Sequence, residues 1–127
     1  MIIGLGSDLI EITRIKKAYE KYKDIYLKSV LSKNEINYFL NLGNYKRQIE
    51  WLAGRFAAKE ALFKCLNIEP YTIDFYGVEI LYDELGKPKF SFDIEECSFF
   101  NEDISIHLTI THSKDTACAV VVIENNL

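Results

Sequence analysis

Arg55-Phe56-Ala57-Ala58-Lys59-Glu60-Ala61-Leu62-Phe63-Lys64 reads as the interior of a helix, and it carries an acid where that helix is expected to be apolar. Ile49, Leu52, Ala53, Phe56 and Phe63 recur at three- and four-residue steps, the period of one amphipathic face. Glu60 follows Phe56 by four residues and precedes Phe63 by three, so its side chain falls on that same face. Removing an ionised carboxylate from water costs roughly several kcal/mol unless a cation compensates. Lys64, one turn on, offers an ordinary i,i+4 ion pair. Arg55 and Lys59 add further cations, and such a cluster also suits a site for a polyanion. The helix alone leaves both readings open.

Working outward, the helix runs from about Lys46 to Leu66, with Pro70 as a stop beyond it. Ser32-Lys33-Asn34-Glu35 is a capping-box pattern, which starts another helix at Lys33 that ends before Gly43. A third helix is expected from about Glu11 to Tyr22, with Ile12, Ile15, Ala18, Tyr19 and Tyr22 on one face. Before it, residues 2 to 6 form a short apolar run broken by glycines, a buried strand ending near Asp8.

The second half changes character. Phe75 to Tyr82 is aromatic and β-branched, and Asp83-Glu84-Leu85-Gly86 turns into a strand from Pro88 to Phe92. Ser105-Ile106-His107-Leu108-Thr109-Ile110-Thr111 alternates strictly, so one side meets a core. His112-Ser113-Lys114-Asp115 then turns the chain into a strand from Thr116 to Ile123, making a hairpin. Helices early and strands late make the fold α+β, a single domain over residues 1 to 127.

An apolar fraction of 49% with 27% charged residues places the chain among soluble globular proteins. There is no signal-peptide pattern at the N-terminus and no apolar run near the roughly 20 residues that span a bilayer. The expectation is a cytoplasmic protein without membrane contact. Cys65, Cys97 and Cys118 show no metal spacing and read as buried or incidental thiols. A formal charge of −4 argues against nucleic-acid binding. Residues 14 to 23 nevertheless gather Arg14, Lys16, Lys17, Lys21 and Lys23 against the single acid Glu20. That run is either a solvated helix face or a docking surface for an acidic partner.

Asp8, at a strand end, suits a turn or cap, and equally a Mg²⁺ site in which substrate phosphates supply the other oxygens. His112 with Ser113 and Lys114 suits either an ordinary turn or a phosphate contact, and Gly86-Lys87-Pro88 is a turn carrying a cation. His107 lies on the polar side of its strand and receives no role. Walker, Rossmann and nucleophile-elbow patterns are all absent from the sequence.

Taken together, four segments resemble a known family. Gly6-Ser7-Asp8-Leu9-Ile10-Glu11-Ile12-Thr13-Arg14-Ile15 is similar to the opening of the short-chain, holo-[acyl carrier protein] synthase branch of the 4′-phosphopantetheinyl transferases. Phe56-Ala57-Ala58-Lys59-Glu60-Ala61-Leu62-Phe63-Lys64 resembles the superfamily's central Lys-Glu-Ala motif. Gly86-Lys87-Pro88 and Ile110-Thr111-His112-Ser113 resemble its later landmarks, in order.

The resemblance implies Mg²⁺-dependent transfer of 4′-phosphopantetheine from coenzyme A to a serine of apo-acyl carrier protein, in support of fatty acid biosynthesis. It implies Asp8 and Glu60 as metal ligands, with Glu60 or a metal-bound water taking the serine proton and Lys64 steadying the departing adenosine 3′,5′-bisphosphate. Arg55, Lys59, Lys64, Lys87, Pro88, His112 and Ser113 are then expected around coenzyme A, and Arg14, Lys17 and Lys21 against the acidic carrier. A chain with one copy of the fold implies a homotrimer with sites at subunit boundaries. The competing expectations are a noncatalytic coenzyme A or nucleotide-binding module of the same fold, and an interaction domain whose basic helix binds an acidic partner.

Overall fold

Gly4, Gly6, Asp8 and Ile10 alternate along strand β1 (Ile2–Glu11), and this side of the strand turns inward while Ile3, Leu5 and Leu9 face out. The computed structural model describes residues 1–66, 78–92 and 102–127. After β1 come four helices: α1 (Ile12–Tyr22), α2 (Asp24–Val30), α3 (Lys33–Asn41) and α4 (Tyr45–Leu66). Strands β2 (Val78–Tyr82), β3 (Pro88–Phe92), β4 (Ile104–His112) and β5 (Thr116–Asn125) complete the described elements. β1, β5 and β4 form an antiparallel sheet in that order, and β2 pairs with β3 in a separate hairpin. The α+β expectation is met, as is the β4–β5 hairpin.

α4 packs across the inner face of the three-stranded sheet, and two glycines set how closely. A Cβ on Gly6 would stand 2.2 Å from the Ala61 carbonyl oxygen, and one on Gly4 would stand 2.8 Å from that of Cys65. The backbones of strand and helix therefore touch where a side chain would hold them apart. Ala117, Ala119 and Val121 of β5 continue the same inner face.

The helix is buried on most sides rather than along one stripe. Leu52, Ala53, Ala57, Ala58, Ala61 and Leu62 have no exposed surface, whereas Phe56 is half-buried. Of the expected inner face, Ile49, Leu52, Ala53 and Phe63 are buried and Phe56 alone is half-buried, as is Glu60 beside it. β1 also runs past the expected end near Asp8, because pairing with β5 continues from Ile10↔Ala117 to Glu11↔Thr116.

α2 is an element the sequence pattern did not give. The chain turns between α1 and α2 at Lys23, a non-glycine residue with φ of 49° whose N–H donates to Tyr19 O at 2.7 Å. No glycine, proline or side-chain cap marks the break. Leu27 and Val30 then bury one face of the short helix. The start of the expected Phe75–Tyr82 strand and the Pro70 stop lie outside the described residues, as does Cys97.

The Ser32–Glu35 capping box forms as expected, with Glu35 N donating to Ser32 Oγ at 3.2 Å and Ser32 N to Glu35 Oε1 at 2.9 Å. Its acid does more than cap. Glu35 is 2% exposed, accepts the N–H of Ile80 at 3.0 Å, and meets Lys59 Nζ at 2.5 Å. Lys59, with no exposed surface, also donates to Val30 O at 2.7 Å. Burial pulls the lysine below its ordinary range and the Glu35 charge pulls it back. Lys59 is therefore corrected from a coenzyme A contact to the internal tie between α4, α3 and β2.

Lys59→Met would strand Glu35 as an unpaired buried charge. It is expected to cost about 3–5 kcal/mol in urea unfolding. A loss below about 1 kcal/mol would remove this tie from the account of the fold.

Candidate active site

The contact of Gly6 with Ala61 decides what lies beside it. Asp8 is two residues on from Gly6, hence on the same face of β1, while Glu60 and Lys64 flank Ala61 on α4. The three side chains meet at the strand–helix seam. Lys64 Nζ donates to Asp8 Oδ1 at 2.9 Å and to Ser7 O at 3.1 Å. The lysine that i,i+4 spacing offered to Glu60 is thus anchored across the seam by Asp8.

Glu60 is half-buried, and burial, followed by the charge of Asp8, holds its carboxyl above the usual carboxylate range. Lys64 and Arg14 partly reverse that rise. Tyr26 belongs to the same neighbourhood, its phenol pushed up to about 12 by burial and by Glu60 against the pull of Arg14.

Two carboxylates this close repel each other unless a cation sits with them. Among the described residues no cluster of three or more His, Cys, Asp or Glu forms a closed metal cage. A pair of hard oxygen donors at an open seam instead fits a Mg²⁺ ion that keeps several other oxygen ligands, from water or phosphate. The ammonium of Lys64 already shows Asp8 receiving a cation.

The sequence-predicted basic residues divide sharply. Arg14, Lys17 and Lys21 are all exposed along α1, on the side away from buried Ile12 and Ile15. Their spacing of three and four residues makes one stripe. Arg14 acts electrostatically on Glu60, so the stripe begins at the acid pair. No described helix is long and apolar enough to cross a membrane.

Arg55, Pro88 and His112 meet elsewhere, in an open cavity of about 720 Å³ that Lys46, Arg47, Glu50, Trp51 and Tyr82 also line. Glu50 Oε2 lies 3.8 Å from His112 Nδ1, and Glu50 Oε1 lies 4.0 Å from Lys46 Nζ. Arg55 is only 5% exposed, held by an Nη2 donation to Tyr82 Oη at 2.6 Å, with its guanidinium carbon 4.7 Å from the Trp51 ring. Burial lowers its affinity for a proton, and Tyr82 and Glu35 work against that. Burial would raise the Tyr82 phenol, but hydrogen bonding from Tyr38 and the nearby Arg55 and Trp51 outweigh it and hold it low.

Lys87 and Ser113 do not line this cavity. Lys87 is exposed in the β2–β3 turn, where its N–H and that of Leu85 donate to Asp83 Oδ1. Ser113 closes the β4–β5 turn, its Oγ 2.9 Å from Thr116 Oγ1. Cys65 is buried, its thiol pushed up to about 11, and Cys118 is half-buried and free, consistent with incidental thiols. Sequence reasoning missed Trp51 and Tyr82. The Arg47-Trp51-Arg55 spacing of four was legible as one helix face, but nothing in the sequence tied Tyr82 to it.

Comparison with known proteins gives one answer. The model of the 4′-phosphopantetheinyl transferase superfamily matches residues 4–121. A holo-[acyl-carrier-protein] synthase of Clostridium tetani is 39% identical over 127 residues, covering 98% of this chain and 97% of that protein. One from Staphylococcus haemolyticus is 41% identical over 125 residues, covering 98% of each. The structure of a Bacillus anthracis holo-(acyl-carrier-protein) synthase in complex with CoA (3′,5′-ADP) superposes with a TM-score of 0.82 at 36% identity, over 98% of both chains. That of the Helicobacter pylori synthase in complex with coenzyme A gives 0.79 at 29% identity, over 94% of this chain and 99% of that one.

The seam's electrostatics are open to direct measurement by NMR titration of the Glu60 carboxyl. Asp8→Asn removes the like charge and is expected to lower its pKa, whereas Lys64→Ala removes the cation and is expected to raise it. A Glu60 titration unmoved by both substitutions would mean that the three groups do not share a site.

Proposed function

The chain belongs to the 4′-phosphopantetheinyl transferase superfamily, and we propose that it moves the 4′-phosphopantetheine group of coenzyme A onto a serine of apo-acyl carrier protein, releasing adenosine 3′,5′-bisphosphate. The observation that carries this reading is the meeting of Asp8, Glu60 and Lys64 at the head of an exposed basic stripe. The protein works as a single domain over residues 1–127, in the cytoplasm, and supplies fatty acid biosynthesis with active carrier.

In this reading the serine oxygen attacks the pantetheine-bearing phosphorus in line, forming the new phosphodiester as the bond to the bridging oxygen breaks. The serine proton passes to the Glu60 carboxylate, whose proton affinity burial and the Asp8 charge raise. Lys64 has three N–H donors and spends two on Ser7 O and Asp8. Its third is free to meet the departing phosphate, where charge develops. Asp8 and Glu60 would hold Mg²⁺, which when bound neutralises pyrophosphate charge. Arg14, Lys17 and Lys21 bring in the acidic carrier by long-range attraction.

One chain holds two halves of a site. Five residues of α-helix set Arg55 and Glu60 about 140° apart around α4. The cavity around Arg55, with Pro88 and His112, therefore faces away from the acid pair. A substrate as long as coenzyme A joins both halves where the cavity of one copy meets the seam of another. The outer sheet face supplies a surface for such an assembly, since Leu5 is 71% and Leu9 68% exposed, with Val122 directly across from Leu5. A homotrimer closes three such boundaries.

Glu60→Gln and His112→Ala test this together. Each alone is expected to lower transfer strongly, Glu60→Gln by about 10²–10⁴-fold. Co-refolded in equal amounts, the two inactive variants are expected to regain about a quarter of wild-type activity, because some boundaries then combine two intact halves. No recovery on mixing would place the whole site within one chain.

A further inference from the structure

Arg55 is a buried cation with unusual company. Among the described residues no carboxylate lies within ion-pair distance of it, and its Nε is buried without a hydrogen-bond partner. Its support is a neutral hydroxyl and two rings: Tyr82 Oη accepts Nη2 at 2.6 Å, and the guanidinium carbon lies 4.7 Å from the Trp51 ring and 5.1 Å from that of Tyr82. Trp51 Nε1 donates to the same Tyr82 oxygen at 3.2 Å, and Tyr38 stacks on Trp51 with centroids 5.1 Å apart. A guanidinium serving structure alone would be expected to carry an acid, as Lys59 does with Glu35. Here the charge is fixed in direction, with Glu35 acting on it only at a distance and no carboxylate among the described residues in contact with it.

The cavity it lines is basic, with Lys46, Arg47 and His112 against the one acid Glu50. Its chemistry suits an anion carried on a flat ring system, since Trp51, Pro88 and Ile110 supply apolar wall. Given the proposed reaction, on which this inference rests, the pyrophosphate lies at the acid seam. Coenzyme A then has one further anionic group to place, the phosphate monoester on its ribose.

We infer that Tyr82 is a positioning residue for substrate binding: acting through Arg55, its hydroxyl holds the guanidinium in the orientation that receives that phosphate monoester, with Trp51 bracing both. Removing the hydroxyl leaves Nη2 without its short bond and lets the guanidinium turn. The effect falls on ligands that carry the monoester and spares those without it.

Calorimetric titration of adenosine 3′,5′-bisphosphate and of adenosine 5′-monophosphate into the wild-type protein and Tyr82→Phe tests this. The variant is expected to bind the bisphosphate about 10-fold more weakly and the monophosphate within about twofold of wild type. In transfer assays the loss is expected in KM for coenzyme A rather than in kcat. Trp51→Phe, which keeps a ring but loses the N–H, is expected to move the bisphosphate the same way by a smaller factor. Unchanged bisphosphate affinity in Tyr82→Phe overturns the inference. So does an equal loss for both nucleotides, which would make Tyr82 a merely structural support. A wild-type protein that transfers phosphopantetheine while Tyr82→Phe matches it defeats this inference alone. A wild-type protein that neither transfers nor binds the bisphosphate defeats the proposed function with it.

Discussion

The missing side chain of Gly6 is the constraint on which the site depends. A Cβ there would lie 2.2 Å from the Ala61 carbonyl, so strand and helix approach to a distance only glycine allows. Every site side chain at the seam is measured from that contact: Asp8 two residues along the strand, Glu60 one residue before Ala61 and Lys64 three after it. Two carboxylates are thereby pressed together at a half-buried position, an arrangement that favours whatever cation they can share. Packing thus places charges where their own repulsion would not.

The cations of α4 have separate fates, decided by what each one meets. Lys59 turns inward to the capping acid Glu35 and ties three elements together. Lys64 turns to Asp8 and keeps more than half of its side chain in solvent, available to a substrate. Arg55 is clasped by Tyr82 and Trp51 and keeps an unpartnered Nε. In the proposed reading, three cations within ten residues of one helix serve structure, transfer and recognition. An ammonium suits the compact site at the seam, while a planar guanidinium suits stacking between rings.

Much of this was legible in the sequence, wherever the signal was local. The Ser32–Glu35 box, the alternation from Ser105 to Thr111 and the turn at Gly86, with φ of +80°, all appear where spacing and composition put them. The pairing of Asp8 with the Glu60 helix was reachable through the family resemblance, and residue spacing alone could not supply it. The rest failed for identifiable reasons. A helix buried on most sides has no single apolar stripe, so Phe56 looked internal and nothing in the spacing set Lys59 apart from the cations expected around coenzyme A. α2 follows a turn at a lysine with positive φ, which composition does not announce. Tyr82 sits 27 residues from Arg55 on a different element, and only the fold brings its hydroxyl to the guanidinium.

The central claim is that the seam of Asp8, Glu60 and Lys64 performs a metal-dependent transfer from coenzyme A to a carrier serine. Intact mass spectrometry of apo-acyl carrier protein, incubated with this chain, coenzyme A and Mg²⁺, tests it most directly. The account predicts a gain of one phosphopantetheine group, abolished when a chelator is added. An unmodified carrier, in the presence of measurable coenzyme A binding, would contradict it and leave a binding module in its place.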